Sequence, residues 1–276
     1  MKDALMVGST LPAQTNMTRG SRRAAALLAM AMVTMHGAAA ADGDATSRPT
    51  QSSLIVSYRS TPAGRPALLH TLRARLAPRL HALQAEGRLM HYRILFSRLA
   101  DANTWDALLI LDFRTDAQAA SWRAVDAETP AGLAATDLAQ VTAVESTPSD
   151  PVGKGGPADD GPDPVYMVVP YDYFVPTKDY IAYARSYVFP QTDGWIAAGA
   201  LNAYQLYIAR YGAGRNWMSM LVLAYHGDNG LDRRNDVVAA TRKALSANPD
   251  WAARATGKGH IRTEKAAMIA DLIAGG

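Results

Sequence analysis

The side chains best suited to chemistry lie on predicted β-strands, where alternation places several of them on one face. A buried His or Glu beside an Arg can act as an acid or base, because desolvation and the neighbouring charge move its pKa. Tyrosines and amides on the same face would hold a flat or amphipathic small molecule. The candidate catalytic residues are His226, Glu264 and Arg262, and the candidate ligand-binding residues are Tyr171, Tyr173, Gln205, Tyr207, His91 and Arg93.

Other kinds of site have no support in the sequence. The chain has no cysteine, which excludes disulfides, thiolate catalysis and cysteine-ligated metals. No two of its six histidines have the His-x-His or His-x-x-x-His spacing of a compact zinc site. There is no P-loop and no Gly-x-Ser-x-Gly elbow. We therefore expect neither a metal nor a cofactor.

The assignment of strand faces starts from alternating aliphatic residues in two predicted strands, 105–114 and 217–226. Leu109 and its alternate neighbours form an apolar face that should pack on helices. The opposite face then carries Asp112 in the first strand and His226 in the second. If the opposite faces of two sheets meet, they enclose a cavity with aromatic and titratable walls.

The two strands belong to a longer internal repeat. With a constant offset of 112 residues and no gap, the second half of the chain matches the first in residue types that rarely coincide by chance. The matched pairs are Val56 with Val168, Arg73 with Arg185, Pro78 with Pro190, Gly87 with Gly199, Tyr92 with Tyr204 and Trp105 with Trp217.

Each half shows the same predicted order of elements, β-α-β-β-α-β. The first helix of each half contains a proline, Pro78 or Pro190, that should kink it. The last strand of the second half is predicted at 260–268. This order is the ferredoxin-like unit, a four-stranded antiparallel sheet with both helices on one face. The chain resembles the dimeric α+β barrel superfamily, which implies an α+β fold whose two antiparallel sheets face each other as a pseudo-dimeric barrel.

Composition predicts the limits of the two halves. Residues 148–164 are rich in Pro, Gly and Asp, which favours a linker between a first half at 53–147 and a second half at 165–276. Because tyrosines are concentrated in the second half, we expect a site to be built mainly there.

The N-terminus has the pattern of an export signal. Three arginines precede an apolar run and a small-residue cleavage site within residues 1–41, and residues 42–52 resemble a disordered tail. The full chain has a formal charge of +3, from 28 Lys+Arg and 25 Asp+Glu. Residues 1–41 hold four basic residues and one acidic residue, so the remainder holds 24 of each and is neutral. We expect a periplasmic or secreted monomer or homodimer, without nucleic acid as a partner and without membrane insertion of the mature chain.

Three functions remain open at this stage. The first is binding of a small amphipathic or aromatic molecule in the barrel, with or without cofactor-free acid–base chemistry. The resemblance implies relatives that include monooxygenases of reactive phenols, lactone isomerases and cyclases. The second is a non-catalytic envelope or stress-related interaction module. The third is a haem-binding barrel, with His70 or His81 of the first helix as the axial ligand, although the repeat places Ala182 and Asp193 at the matching positions.

Overall fold

The computed structural model describes residues 51–276 and shows an α+β architecture. The predicted export signal and most of the predicted tail lie outside the described residues. The strands are β1 (Ser52–Ser60), β2 (His91–Ser97), β3 (Ala107–Phe113), β4 (Val141–Gly155), β5 (Val165–Tyr173), β6 (Leu201–Ala209), β7 (Ser219–Tyr225), β8 (Arg262–Glu264) and β9 (Met268–Gly275). The α-helices are α1 (Arg65–Thr71), α2 (Ala77–Ala85), α3 (Asp116–Glu128), α4 (Ala135–Leu138), α5 (Thr177–Tyr183), α6 (Phe189–Ala197), α7 (Gly227–Asp232), α8 (Arg234–Leu245) and α9 (Pro249–Gly257).

Eight of the strands close into an antiparallel barrel. The hydrogen-bonded order is β1-β3-β2-β9-β5-β7-β6-β4, and β4 pairs back onto β1. Each half contributes a ferredoxin-like sheet, β4-β1-β3-β2 and β9-β5-β7-β6. The duplicated α+β barrel predicted from the order of elements is therefore confirmed.

Strand β4 crosses from one half to the other. It pairs with β1 from Val141 to Ser149 and then with β6 from Ser149 to Gly155. The predicted linker is thus strand over its first eight residues, and only the residues after Gly155 form an irregular loop. Glycine suits this strand because a Cβ at Gly153 would lie 2.1 Å from the Phe189 ring. The glycines that indicated a linker instead allow close packing of the strand.

The last strand of the second half is broken in two. Strand β8 pairs with the end of β5 and strand β9 pairs with its beginning, so the prediction of one strand at 260–268 was wrong. Strand β9 continues past β5 to pair with β2, where Arg93 lies opposite Gly275. Strands β4 and β9 therefore form the two seams that join the halves.

The repeat is not gapless in its first strand. Val56 pairs with Leu109 in the first half, and Val169 pairs with Leu221 in the second. Because Leu109 and Leu221 are 112 residues apart, the structural partner of Val56 is Val169 rather than Val168. A slip of one residue exchanges the two faces of a strand, so this difference changes which β5 side chains face the barrel interior.

The first helix of each half runs from α1 to α2, or from α5 to α6, without a break. A single π-helical turn at Leu72–Leu76 joins the first pair, and an equivalent turn at Ala184–Val188 joins the second. Proline cannot donate the i→i−4 hydrogen bond, and the wider turn just before Pro78 accommodates that loss. No helix within residues 51–276 has the length and hydrophobicity needed to cross a bilayer.

Three apolar cores hold the structure together. The helices of the first half pack on one side of β1–β3, and those of the second half pack on β5–β7. The third core fills the barrel interior between the two sheets.

Candidate functional site

The barrel interior is packed at its middle and at one end. Buried aliphatic side chains such as Ile110 and Val222 meet between the sheets. Trp105 and Trp217, which are equivalent in the repeat, lie buried before β3 and β7 at one end. The opposite end, where β3 and β7 finish, contains a cavity of about 270 Å³. We call it the barrel-end cavity; its polar lining includes His91, Arg93, Asp112, Asp160, Tyr166 and Gln205.

Asp112 is the buried carboxylate of the barrel-end cavity, with 3% of its surface exposed. The Ser53 hydroxyl donates a 2.5 Å hydrogen bond to Asp112 Oδ1, and Tyr207 donates a longer one of 3.5 Å to the same atom. Arg93 Nη1 lies 3.9 Å from Asp112 Oδ2. The carboxylate therefore has one strong neutral donor and one distant cation, which is weak compensation for its burial.

Burial sets the protonation of this cluster. Loss of solvation raises the pKa of Asp112, and the hydrogen bond from Ser53 and the charge of Arg93 reverse only part of that shift. Burial, together with the charge of Asp112, raises the pKa of Tyr207 well above its ordinary value. Tyr207 therefore remains a donor across the physiological range, whereas Asp112 has the raised pKa that suits a general acid or base.

The loop after β4 forms one wall of the barrel-end cavity. Asp160 of this loop accepts hydrogen bonds from Arg93 Nε at 2.8 Å and Nη2 at 3.2 Å. This paired geometry fixes the guanidinium against the cavity. The Tyr166 hydroxyl is also buried here, close to Asp160 and Arg93, but no hydrogen bond of good geometry joins it to residues 51–276.

The sequence-predicted residues of β2 and β6 meet at this cavity. His91, Arg93 and Gln205 line the cavity, and Tyr207 contacts Asp112 from the barrel interior. Its charged groups are Arg93 and Asp112 of the first half and Lys154 and Asp160 of the segment that follows, whereas the repeat places Gln205 opposite Arg93 and Ala224 opposite Asp112. Both halves and the segment between them therefore build this cavity, and the second half contributes Tyr166, Tyr204, Gln205 and Val222 to its lining.

Sequence reasoning missed Asp160 and Tyr166. Asp160 lay in the segment interpreted as a linker. Tyr166 was missed because the odd-numbered residues of β5, such as Tyr171, were predicted to face the barrel interior, whereas the even-numbered residues do so.

Tyr171 and Tyr173 occupy the other face of β5. They pack against the helices of the second half, and Tyr173 stacks on Tyr180 with ring centroids 4.3 Å apart. The prediction that they face the opposite sheet is wrong, because the true register of β5 turns Tyr166 and Val168 inward.

Arg262 and Glu264 lie near Tyr171 on the helix side of the second sheet. The Arg262 guanidinium covers the Tyr171 ring at 3.9 Å, and the Tyr171 hydroxyl donates a 3.4 Å hydrogen bond to Glu264. All three line a cavity of about 300 Å³ between the second sheet and its helices, which we call the helix-side pocket. The predicted acid–base pair is therefore separate from the barrel-end cavity.

The histidine candidates have different outcomes. His226 is exposed between β7 and α7, and it lines neither cavity. His70 and His81, the candidate haem ligands, are both exposed on the first helix. Within residues 51–276, no group of three or more His, Cys, Asp or Glu side chains is arranged to hold a metal ion.

Comparison with solved structures shows the fold of the chain. An anthrone oxidase-like protein superimposes with a TM-score of 0.53 at 7% identity, covering 83% of this chain and 93% of that one. The putative monooxygenase from Lactobacillus acidophilus NCFM superimposes with a TM-score of 0.52 at 13% identity, covering 82% and 95%. The chain thus has the tandem form of the dimeric α+β barrel fold, and identities this low carry no activity across.

A haem-binding protein from Thermus thermophilus is a more distant match. Its TM-score is 0.45 at 11% identity, with 81% of this chain and 91% of that one covered. A likeness this distant carries no argument for haem. No family model and no curated protein matches the sequence.

Proposed function

We propose that the protein binds a small amphipathic or aromatic molecule in the barrel-end cavity and exchanges a proton with it through Asp112. The observation that carries the proposal is a buried carboxylate of raised pKa lining a cavity of about 270 Å³. Apolar side chains such as Val222 would contact the body of the ligand. The buried Tyr166 hydroxyl would donate to, or accept from, its polar group.

A phenol whose absorbance reports its ionisation tests both parts of this proposal. We expect 4-nitrophenol to bind saturably to the wild-type protein. Tyr166→Phe removes a hydrogen bond worth about 0.5–1.5 kcal/mol and should weaken binding about 2- to 10-fold. Asp112→Asn should change the ionised fraction of the bound phenol, because the exchangeable carboxyl proton is gone.

Tyr58→Phe is the matched control. Tyr58 is another fully buried tyrosine, but it lies on the helix side of β1 in the first half, where its hydroxyl donates to the Ala131 carbonyl. It should leave 4-nitrophenol binding unchanged. Absence of saturable binding, or equal losses in the Tyr166 and Tyr58 variants, would refute the proposed site.

The packed middle of the barrel supports a second candidate, a non-catalytic envelope or stress-related module. Its apolar filling extends from the middle of the barrel to the end that holds Trp105 and Trp217, as expected of a barrel that serves as a scaffold. The two candidates differ in the same titration, because a barrel without a ligand site gives no phenol binding that depends on Tyr166.

We further propose that the mature chain acts outside the cytoplasm, as a periplasmic or secreted protein. The support is the arginine-rich, then apolar, then small-residue order of residues 1–41. Fractionation of cells followed by N-terminal sequencing should recover a chain that begins near Asp42. Recovery of the full-length chain from the cytoplasm would contradict this localisation.

A further inference from the structure

The helix-side pocket has an apolar floor and an open, charged rim. Val169 of β5 with Leu221 and Leu223 of β7 form the floor, and Trp195 of α6 forms one wall. Its volume of about 300 Å³ lies at the lower end of the range for small-molecule sites, roughly 300–1,000 Å³. A ligand of modest size with an apolar body fits these dimensions.

The equivalent place in the first half is almost filled. The cavity lined there by Leu83 of α2 and Trp122 of α3 is about 10 Å³. Trp122 packs edge-on against Phe113 with ring centroids 6.4 Å apart. At the offset of 112 residues, the position of Trp122 is Arg234 in the second half. The pocket therefore exists where the repeat exchanges a large aromatic side chain for a cation.

Four cations surround the pocket, and one acid faces them. Arg234 and Arg242 come from α8, Lys258 follows α9, and Arg262 comes from β8. Glu264 is the acidic residue of the lining. None of the four cations forms a salt bridge with another residue in the described part of the chain. The pocket thus carries an excess of uncompensated positive charge.

Buried hydrogen-bond donors in the lining also favour a negatively charged ligand. Arg234 Nε, Arg262 Nη1 and Trp195 Nε1 are buried, and none makes a hydrogen bond of good geometry within residues 51–276, although tyrosine hydroxyls such as that of Tyr180 lie close to Arg262. These atoms can only donate, and a buried donor without a well-placed acceptor destabilises the folded state. A ligand that supplies acceptor oxygens and negative charge would satisfy them together.

We propose that the helix-side pocket binds a small amphipathic anion, with its oxyanion held by Arg234 and Arg262 and its apolar body on the Leu221–Leu223 floor. The site is independent of the barrel-end cavity and of the acid–base role proposed for Asp112. An organic carboxylate has the required combination of acceptor-only oxygens and an apolar body.

Octanoate, with 1-octanol as its uncharged match, is the probe for this site. Calorimetric titration of the full mature chain should show octanoate binding that weakens with added salt and is at least tenfold tighter than binding of 1-octanol. Equal affinity for the two probes, or no octanoate binding, would overturn the proposal.

Substitutions at neighbouring positions locate the site. Arg234→Trp installs the residue of the first half and should abolish octanoate binding by filling the pocket. Arg234→Gln and Arg262→Gln should each weaken binding at least tenfold, and they keep the test decisive if the tryptophan variant does not fold. Arg233→Gln changes the preceding, exposed arginine and should leave the affinity unchanged. Unchanged binding in both glutamine variants, or an equal loss with Arg233→Gln, would overturn the assignment.

Discussion

The two helix layers of this protein share one fold and differ in what fills it. In the first half, Trp122 closes the space over Phe113. In the second half, a row of stacked aromatic rings lies beside an open pocket, with Tyr183 on Tyr187 at 5.1 Å and Tyr187 on Trp251 at 5.0 Å. The helix layer of the first half is therefore a closely packed core, whereas that of the second half keeps the same backbone arrangement and leaves a pocket.

The barrel end shows the reverse asymmetry. There the first half provides Arg93 and Asp112, and the second half provides Gln205 and Ala224 at the same repeat positions. The two halves thus specialised on different faces of their sheets. After a duplication, functional side chains can thus be distributed between the two faces of the sheets as well as between the two halves.

The largest expected effect tests the closed layer. Trp122→Ala should lower the free energy of unfolding by about 3–5 kcal/mol, because it leaves a cavity in a packed core. Arg234→Ala, at the same repeat position, should cost less than about 1 kcal/mol because the space is already open. Urea unfolding of both variants measures the difference. Similar losses at the two positions would contradict the contrast between a closed and an open layer.

The next effect concerns the seam formed by β4. Gly153→Ala places a methyl group 2.1 Å from the Phe189 ring, so strand and helix must move apart. Overpacking of this kind should cost about 1–3 kcal/mol in thermal or urea unfolding. Gly257→Ala is the control, because a Cβ there has no neighbour within 4 Å. A neutral Gly153→Ala would show that β4 does not pack as tightly as its glycines indicate.

The smallest effect is the dependence of stability on pH through Asp112. Burial raises its pKa in the folded state, so the folded protein holds this proton at pH values where the unfolded chain has lost it. Asp112 therefore stabilises the fold less as pH rises from its unfolded pKa through its raised folded pKa. Asp112→Asn should gain stability relative to wild type across that interval. A difference between the two proteins that does not change with pH would contradict the raised pKa.

Much of the fold could be predicted from the sequence. The repeat, the order of elements and the apolar faces of β3 and β7 follow from Gly, Pro, Trp and Leu positions that have strong local meaning. The inward faces of β2 and β6 were predicted correctly by the same alternation, which is why His91, Arg93, Gln205 and Tyr207 come together.

The parts that failed have physical causes. Strand β5 carries buried tyrosines on both faces. Alternation therefore shows which residues share a face, but not which face packs on the helices. Only pairing with Leu221 settles that question, and pairing is a long-range property. The glycines of β4 indicated a loop, because the close contacts of Gly153 with Phe189 and of Gly155 with Tyr204 cannot be predicted from the local sequence. Arg234 could have been noticed, since the repeat sets it opposite a tryptophan.

The two seams also constrain the order of events during synthesis. Strand β2 ends at Ser97, but its outer neighbour β9 begins at Met268. One edge of the first sheet therefore waits for almost the whole chain before it finds its hydrogen-bonding partner. Contacts this distant in sequence make closure slow, and an unpaired edge is prone to pair with other chains. The nascent first half is thus the stage at which this protein would most need protection from self-association.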